Sequence, residues 1–266
     1  MQYSTIVLDL DGTFLDSEKR ISERNHNAAM KCHQQGMKII FATARPPRSV
    51  NQFLPEDLRN IGSFIYYNGA LITCLQTGIN HHEPINSTLT AELLDYCLRG
   101  NPELDINLEV NDTWMSLKEY EYSSITKVKE LPQVKSLDEL KNQEATKVLF
   151  FGKIDVESLK ERYSDQLNIV ITDNGELVQI SSDKASKEKA VTLLCENLGV
   201  PLEKVIVFGD DYNDTGLFRI CGWSVAMGNA VSHLKEISKE ITDTNDNDGV
   251  AKVLERILQV SQGHIT

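Results

Sequence analysis

Two carboxylates close the first apolar run of this chain, Asp9 and Asp11 in IVLDLDGTFLD, residues 6–16. A lone buried carboxylate is expensive unless it is paired or bound to a metal. Other polar residues stand where later apolar runs end or a helix begins. Thr43 ends MKIIFAT, Lys187 heads an amphipathic run, and Asp210 with Asn213 and Asp214 follows KVIVFG. Converging carboxylates raise one another's pKa unless a cation neutralises them. Oxygen-only ligands suit a hard ion, and an incomplete cage that also meets a phosphate suits Mg²⁺ better than Ca²⁺. Lys187 in a first helical turn opposes the helix dipole unless an anion binds there. Thr43-Ala44-Arg45 precedes a helix opened by proline and offers a hydroxyl and free backbone N–H groups, donors suited to phosphate oxygens.

Each piece has a commonplace reading as well. D-L-D-G alone fits a turn equally well, Thr43 a helix cap, Lys187 a solvated surface lysine, and Asp210, Asp211 and Asp214 first-turn acids. An EF-hand is excluded, because that loop needs glycine at its sixth position and Gly12 would stand fourth. Taken together, in this order and at successive strand ends, the residues fit the commonplace readings poorly.

The elements that must position them alternate. Residues 5–9 read as a strand, followed by a helix from the N-cap Ser22 to a stop at Gly36. Residues 37–43 form a second strand, Pro46-Pro47 opens a helix, and 63–67 is a third strand with Asn68-Gly69 as a hairpin turn into ALITCL. Downstream come a helix over 187–198, a strand over 204–209, a helix through Leu217-Phe218, a strand over 222–227 and a helix over 250–260. Such alternation means a parallel sheet wrapped on both faces. In open α/β sheets the carboxyl ends of the strands form the ligand crevice, which would gather the polar residues above. The middle differs. A helix (89–98), neighbouring strands (105–110 and 114–117), a short helix, a strand (147–151), a helix (156–163) and a hairpin around 173–175 make an inserted α+β unit. The expected fold is α/β, a doubly wound, mostly parallel Rossmann-like sheet in residues 1–82 and 184–266, with an α+β cap in residues 83–183.

The 266 residues can bury a substantial core, and 41% hydrophobic and 25% charged content are ordinary for a globular protein. No apolar run approaches the roughly 20 residues that span a bilayer. A net charge of −12 without a Lys/Arg tract argues against nucleic-acid or anionic-membrane partners. The five scattered cysteines read as small buried hydrophobes in a reducing cytoplasm. A strand-like segment begins almost at once, so no signal peptide is expected and the protein is placed in the cytoplasm. His81-His82 reads as an exposed pair rather than a metal site, because strand neighbours point apart. No association motif is visible, and a monomer is expected.

D-L-D-G-T at 9–13 resembles the first motif of the haloacid dehalogenase (HAD) superfamily, Thr43 in FATAR the second, Lys187 in SKEKAV the third and G-D-D-Y-N-D at 209–214 the fourth. Y-N-G-A at 67–70, A-M-G-N-A at 226–230 and N-D-G-V-A at 247–251 resemble segments of its Cof-type branch, whose cap lies between the second and third motifs. Glu188 departs from the pattern, where glycine often follows the lysine. The resemblance implies a Mg²⁺-dependent phosphatase acting on small phosphorylated metabolites, sugar phosphates first. Asp9 would be the nucleophile that forms an aspartyl-phosphate, and Asp11 the general acid and base. Thr43, Ala44, Lys187 and Asn213 would bind the phosphoryl group, Asn213 alternatively orienting a water of the metal. Asp9, the Asp11 backbone carbonyl and Asp210 would hold the metal, with Asp214 close by. The cap would close over the crevice. Arg45, Arg48, Asn68, Gly69 and the turns at 111–113 and 173–175 are further candidates for substrate contact. Trp114 could stack on a ring, although a strand aromatic more often serves the core.

Three rivals remain open. A phosphosugar mutase needs a cap that grips a second phosphate, and the cap here offers Arg99, Arg162 and scattered lysines but no arginine cluster. A receiver domain shares the acids, Thr and Lys, yet is about half this length, has no inserted cap and keeps its phospho-acceptor on a middle strand. A family member that binds a phosphorylated ligand without turnover is opposed by the intact motif residues.

Overall fold

The computed structural model describes residues 3–120, 131–172 and 176–262. It divides into two compact units, Met1–His81 with Ser186–Thr266, and His82–Ala185. The first segment runs β1 (Thr5–Leu8), α1 (Glu23–Gln34), β2 (Lys38–Ala42), α2 (Pro47–Phe53), α3 (Glu56–Ile61), β3 (Gly62–Tyr66), β4 (Leu71–Cys74) and β5 (Ile79–His82). Ser22 caps α1 by accepting from Asn25 N–H, and Pro47 stands in the first turn of α2, where its missing donor is harmless. Asn68-Gly69 does join β3 to β4, but not as a two-residue hairpin. The last strand pair is Tyr66 with Leu71, and Tyr67, Asn68 and Gly69 all take positive φ in a short 3₁₀ turn. Tyr67 therefore leaves the strand that its sequence suggests.

The second unit contains α4 (Ser87–Gly100), β6 (Asp105–Val110), β7 (Thr113–Ser116), β8 (Gln133–Val134), α5 (Leu137–Lys141), β9 (Lys147–Phe151), α6 (Val156–Tyr163), β10 (Leu167–Thr172) and β11 (Leu177–Ser182). Its sheet has the order β10-β11-β9-β6-β7-β8. Alternation gives it two unlike faces. Ile106, Leu108, Val148, Phe150, Val178 and Ile180 pack with Leu93, Leu94 and Leu159 of the helices. The other face carries Asp105, Asn107, Glu109, Lys147 and Gln179. There the buried Asn107 accepts from Trp114 Nε1 (2.8 Å) and donates to Tyr120 OH (2.7 Å), so Trp114 is tied into the sheet. Asn111 at the β6–β7 turn has positive φ and its N–H donates to Thr146 Oγ1 (2.7 Å), which also meets His82 Nε2 (2.8 Å). The turn expected at 173–175 lies outside the described residues.

The chain closes with α7 (Lys187–Leu198), β12 (Val205–Gly209), α8 (Thr215–Ile220), β13 (Trp223–Ala226), α9 (Ser232–Ile237), β14 (Glu240–Ile241) and α10 (Gly249–Gln262). The first unit's sheet has the order β14-β13-β12-β1-β2-β3-β4-β5. Pairing is parallel from β14 through β3 and turns antiparallel at β4. The central strands β1, β12 and β3 are buried throughout, as two-sided coverage requires. An aromatic row, Phe14–Phe41–Phe64–Tyr66 with centroids 5.4–5.8 Å apart, ties the segment after β1 to β2 and β3. All five cysteines are buried and free, and no helix among the described residues is long and apolar enough to cross a membrane.

Candidate active site

The site gathers at the carboxyl ends of β1, β2 and β12 and the head of α7. Asp9 is the first residue past β1; its N–H donates to Phe208 O of β12 (3.2 Å), continuing the ladder into the turn. The chain then folds back tightly, Phe14 N–H donating to Asp9 O (3.2 Å) and Leu15 N–H to Leu10 O (2.8 Å). Gly12 is required here for two reasons. Its φ is +77°, and any Cβ would collide with the Asp210 carboxylate. Thr13, fully buried, donates from Oγ1 to Asp210 Oδ1 (2.8 Å).

Lys187 is the first residue of α7, capped by Ser186, and its ammonium is buried. It donates to Asp9 Oδ1 (2.6 Å) and to Asp214 Oδ1 (2.8 Å). Burial pulls its pKa down, but the carboxylates of Asp214 and Asp9 outweigh that and hold the ammonium above its ordinary value. The commonplace reading of a solvated surface lysine is therefore overturned. Asp214, also fully buried, accepts the N–H groups of Asp210 (3.1 Å) and Asp211 (3.4 Å) on Oδ2. With Lys187 on Oδ1, both of its oxygens are engaged, and its role is to anchor the lysine and the turn.

Asp9, Asp210 and Asp214 each offer an oxygen within 4.8 Å of the others. Burial, then the neighbouring Asp214 and Asp210, push Asp9 well above the carboxylate range, with Lys187 opposing. Asp210 is pushed up to about 6, chiefly by burial and further by Asp214 and Asp211, against Thr13 and Lys187. Hard oxygen donors on Asp9 and Asp210, both held above the carboxylate range with Asp214 beside them, fit a divalent cation. Lys187 donates to Oδ1 of Asp9 and Thr13 to Oδ1 of Asp210, which fixes the orientation of both carboxylates.

Asp11 differs from Asp9 in everything but spacing. Its side chain is 37% exposed and forked by Arg45, Nε to Oδ2 (2.5 Å) and Nη2 to Oδ1 (2.7 Å), with Lys19 Nζ on Oδ1 (2.8 Å). Burial would raise its pKa, but the hydrogen bonds and charges of Arg45 and Lys19 prevail and lower it. Arg45 also donates to Ser49 Oγ (2.9 Å) and lies over the Phe53 ring. Thr43 is buried past β2, where its N–H donates to Ile65 O (2.8 Å) and its Oγ1 accepts from Arg45 N–H (3.1 Å), with Ala44 between them. Asn213 donates to Asn68 Oδ1 (3.0 Å). Gly69 has φ +112°, and a Cβ there would strike the backbone of Ser186, so the 67–69 turn seats directly on the head of α7.

The sequence motifs thus come together around one centre, and other residues join them. Thr13 lies within a quoted motif without a role there, and Asn229 within A-M-G-N-A bridges Gly12 O (2.8 Å) and Asn245 N–H (3.0 Å). Lys19 carries no sequence signal. Glu188, the departure from the family pattern, lies against Gly216 of α8, which leaves space for it by lacking a side chain.

Comparisons with known proteins agree in extent. The family model for haloacid dehalogenase-like hydrolases matches residues 6–254. Phosphatase YwpJ of Bacillus subtilis is 28% identical, covering 95% of this chain and 99% of its own. From the same organism, 5-amino-6-(5-phospho-D-ribitylamino)uracil phosphatase YitU is 27% identical, covering 94% and 95%. The crystal structure of TM0651 from Thermotoga maritima superposes with a TM-score of 0.86 at 27% identity, over 96% of this chain and 97% of that one. A haloacid dehalogenase-like hydrolase from Bacteroides thetaiotaomicron gives 0.81 at 29% identity, over 96% and 99%. With the motif residues clustered at the strand ends and the match spanning nearly the whole chain, this protein belongs to the haloacid dehalogenase-like hydrolase family.

Proposed function

We propose that the chain is a Mg²⁺-dependent phosphatase that hydrolyses phosphomonoesters of small metabolites through an aspartyl-phosphate on Asp9. The observation that carries this reading is the Asp9–Asp210–Asp214 trio, with Asp9 and Asp214 buried and Asp210 half-buried, and Lys187 on Asp9. Such a site is neutralised by a cation and then accepts an anion. Lys187 orients the Asp9 carboxylate and opposes the rise that burial and the neighbouring acids impose on its pKa, and a cation in the acid cluster would favour the ionised, nucleophilic form further. Asp9 attacks phosphorus, the ester P–O bond breaks, and Asp11 gives a proton to the leaving alkoxide. Water then attacks phosphorus, Asp11 takes its proton, and inorganic phosphate leaves with Asp9 restored. As a carboxylate beside Arg45 and Lys19, Asp11 is prepared for the second step; for the first it must take up a proton as substrate binds. Thr43, the Ala44 N–H, Lys187 and Asn213 hold the phosphoryl oxygens. When bound, by Asp9, the Asp11 carbonyl and Asp210 with Asp214 behind, Mg²⁺ offsets phosphoryl charge against the nucleophile.

Sugar and sugar-alcohol phosphates are the favoured substrates, and residues 83–183 the part that selects among them. The activity for which YitU is named, on a phosphoribityl compound, supports a phosphorylated polyol. The test is phosphate release over a panel of phosphorylated sugars, polyols, nucleotides and cofactors, with Mg²⁺ and with EDTA, beside Asp9→Asn. Release that disappears with EDTA and in the variant, together with a phosphoryl adduct mapped to Asp9, is the expected outcome. Turnover that survives Asp9→Asn would remove Asp9 as nucleophile.

A further inference from the structure

Among the described residues each of the two sheets ends in two edges, and three of the four are blunted. β14 and β8 have two residues each, and β5 is short and carries Asn80, His81 and His82. The fourth is different. β10 is six residues long, LNIVIT, with no charge, proline or glycine, the kinds of residue that protect an edge from pairing. Val170 is 53% and Ile171 40% exposed, on opposite faces of the strand, and Phe151 on β9 is 41% exposed.

The direction of the free backbone groups of β10 follows from two observations. Asp183 N–H donates to Gln166 O (3.1 Å), which makes that pair a bonded one in the β10–β11 register of Leu167 opposite Ser182. Gly152 N–H donates to Glu176 O (3.0 Å), so the even-numbered residues of β11 turn to β9 and the odd-numbered ones to β10. Both place the N–H and C=O groups of Leu167, Ile169 and Ile171 on the outer side. We propose that this edge is a self-association surface whose partner is a second copy of the chain, paired antiparallel through β10 about a twofold axis at Val170. Both observations require outward residues to meet outward residues, and among the registers that do so this one puts the most exposed apolar side chain of the strand, Val170, at the axis. Ile169 meets Ile171 of the other copy in bonded pairs on the face that carries the helices. Val170 meets its own mate as the close, non-bonded pair on the opposite face. A one-residue slip would oppose side chains of unlike faces.

Charge favours this seam as well. A protein of net charge −12 repels its copies, and the uncharged 167–172 strand gives them a neutral line of approach. About a twofold at Val170 only residues 168–172 of each strand pair, a small contact by the standard of specific interfaces, so the dimer is concentration-dependent.

The test is sedimentation of the full chain from low micromolar to several hundred micromolar, with two variants. Val170→Lys places charges opposite one another at the axis, and Ile171→Pro removes an outward donor together with the side chain that meets Ile169 of the other copy, at a position where an edge strand tolerates proline. Wild type is expected to shift from monomer to dimer, and both variants to remain monomeric with unchanged melting temperature. Val170→Cys, whose new thiol would face its mate, is expected to give a disulfide-linked dimer under oxidation; the native cysteines are buried. A wild type that stays monomeric at all concentrations, a dimer indifferent to both substitutions, or no cross-link at position 170 would overturn the proposal.

Discussion

Lys187 shows how one side chain sets the chemistry around it. It is buried against two carboxylates, and among the described residues no other cation pairs with Asp9 or Asp214. Removing one partner of a buried pair strands the other charge at a cost of about 3–5 kcal/mol. Lys187→Met is expected to lower the thermal midpoint by about 10 °C in metal-free protein. Phosphate release should fall about 10²–10³-fold, as for loss of one preorganised donor to a developing charge. Melting curves and steady-state assays in parallel check both; an unchanged midpoint would mean that the ammonium is not buried in solution. Asp214 belongs to the same unit. Because its oxygens are taken by Lys187 and by two backbone N–H groups, Asp214→Asn is expected to act on stability and lysine placement, raising the apparent Kd for Mg²⁺ less than Asp210→Asn does. Calorimetric titration with Mg²⁺ separates them.

At the scale of elements, the site depends on two turns that touch helix heads or strand ends. The 67–69 turn seats on Ser186, and at Gly69 both the left-handed backbone and the contact forbid a side chain. Gly69→Ala is expected to cost about 2–4 kcal/mol, from strain and displacement of the α7 head, and to lower activity with it. Denaturant midpoints measure the first and phosphate release the second. Gly12→Ala carries the same left-handed strain but displaces the Asp210 carboxylate rather than backbone, so it should cost less stability than Gly69→Ala while still lowering activity. The 67–69 turn also shows where local reading failed. Asn-Gly signals a two-residue hairpin, but three consecutive residues enter the left-handed region because Asn68 N–H must reach Thr43 O (2.9 Å) and the turn must meet α7. Those are partners distant in the chain.

At the scale of the whole molecule, the acid cluster links stability to pH and to cation. Asp210 rises from its ordinary 3.8 to about 6 in the folded protein, and Asp9 moves the same way. A carboxyl with a raised folded value binds its proton more tightly folded than unfolded. Without metal, this contribution to stability is present at low pH and lost as pH rises through about 4 to 6. A divalent cation replaces the proton. The increase in thermal midpoint on adding Mg²⁺ is therefore expected to be larger at about pH 8 than at about pH 5. An equal increase at both would place the cation elsewhere. Asp11 acts oppositely: its lowered value contributes stability above the ordinary carboxylate range and loses it as pH falls through the folded value.

By itself the sequence determined the alternation of strands and helices, the inserted unit and the residues that meet at the strand ends. Those depend on local periodicity, caps and motif spacing, which neighbouring residues carry. What only the tertiary structure decided is which groups touch. Lys187 could have been solvated; burial between Asp9 and Asp214 makes it part of the centre. Arg45, a candidate for substrate contact by sequence, is engaged with Asp11, and Lys19 joins it across a left-handed turn that no pattern marks. Short elements such as α3, α9, β5 and β14 escaped local reading because their few residues are held by neighbours in space rather than by their own periodicity. The same holds for β10, whose sequence reads as one arm of a hairpin: its place at the end of the sheet among the described residues is set by strand order alone.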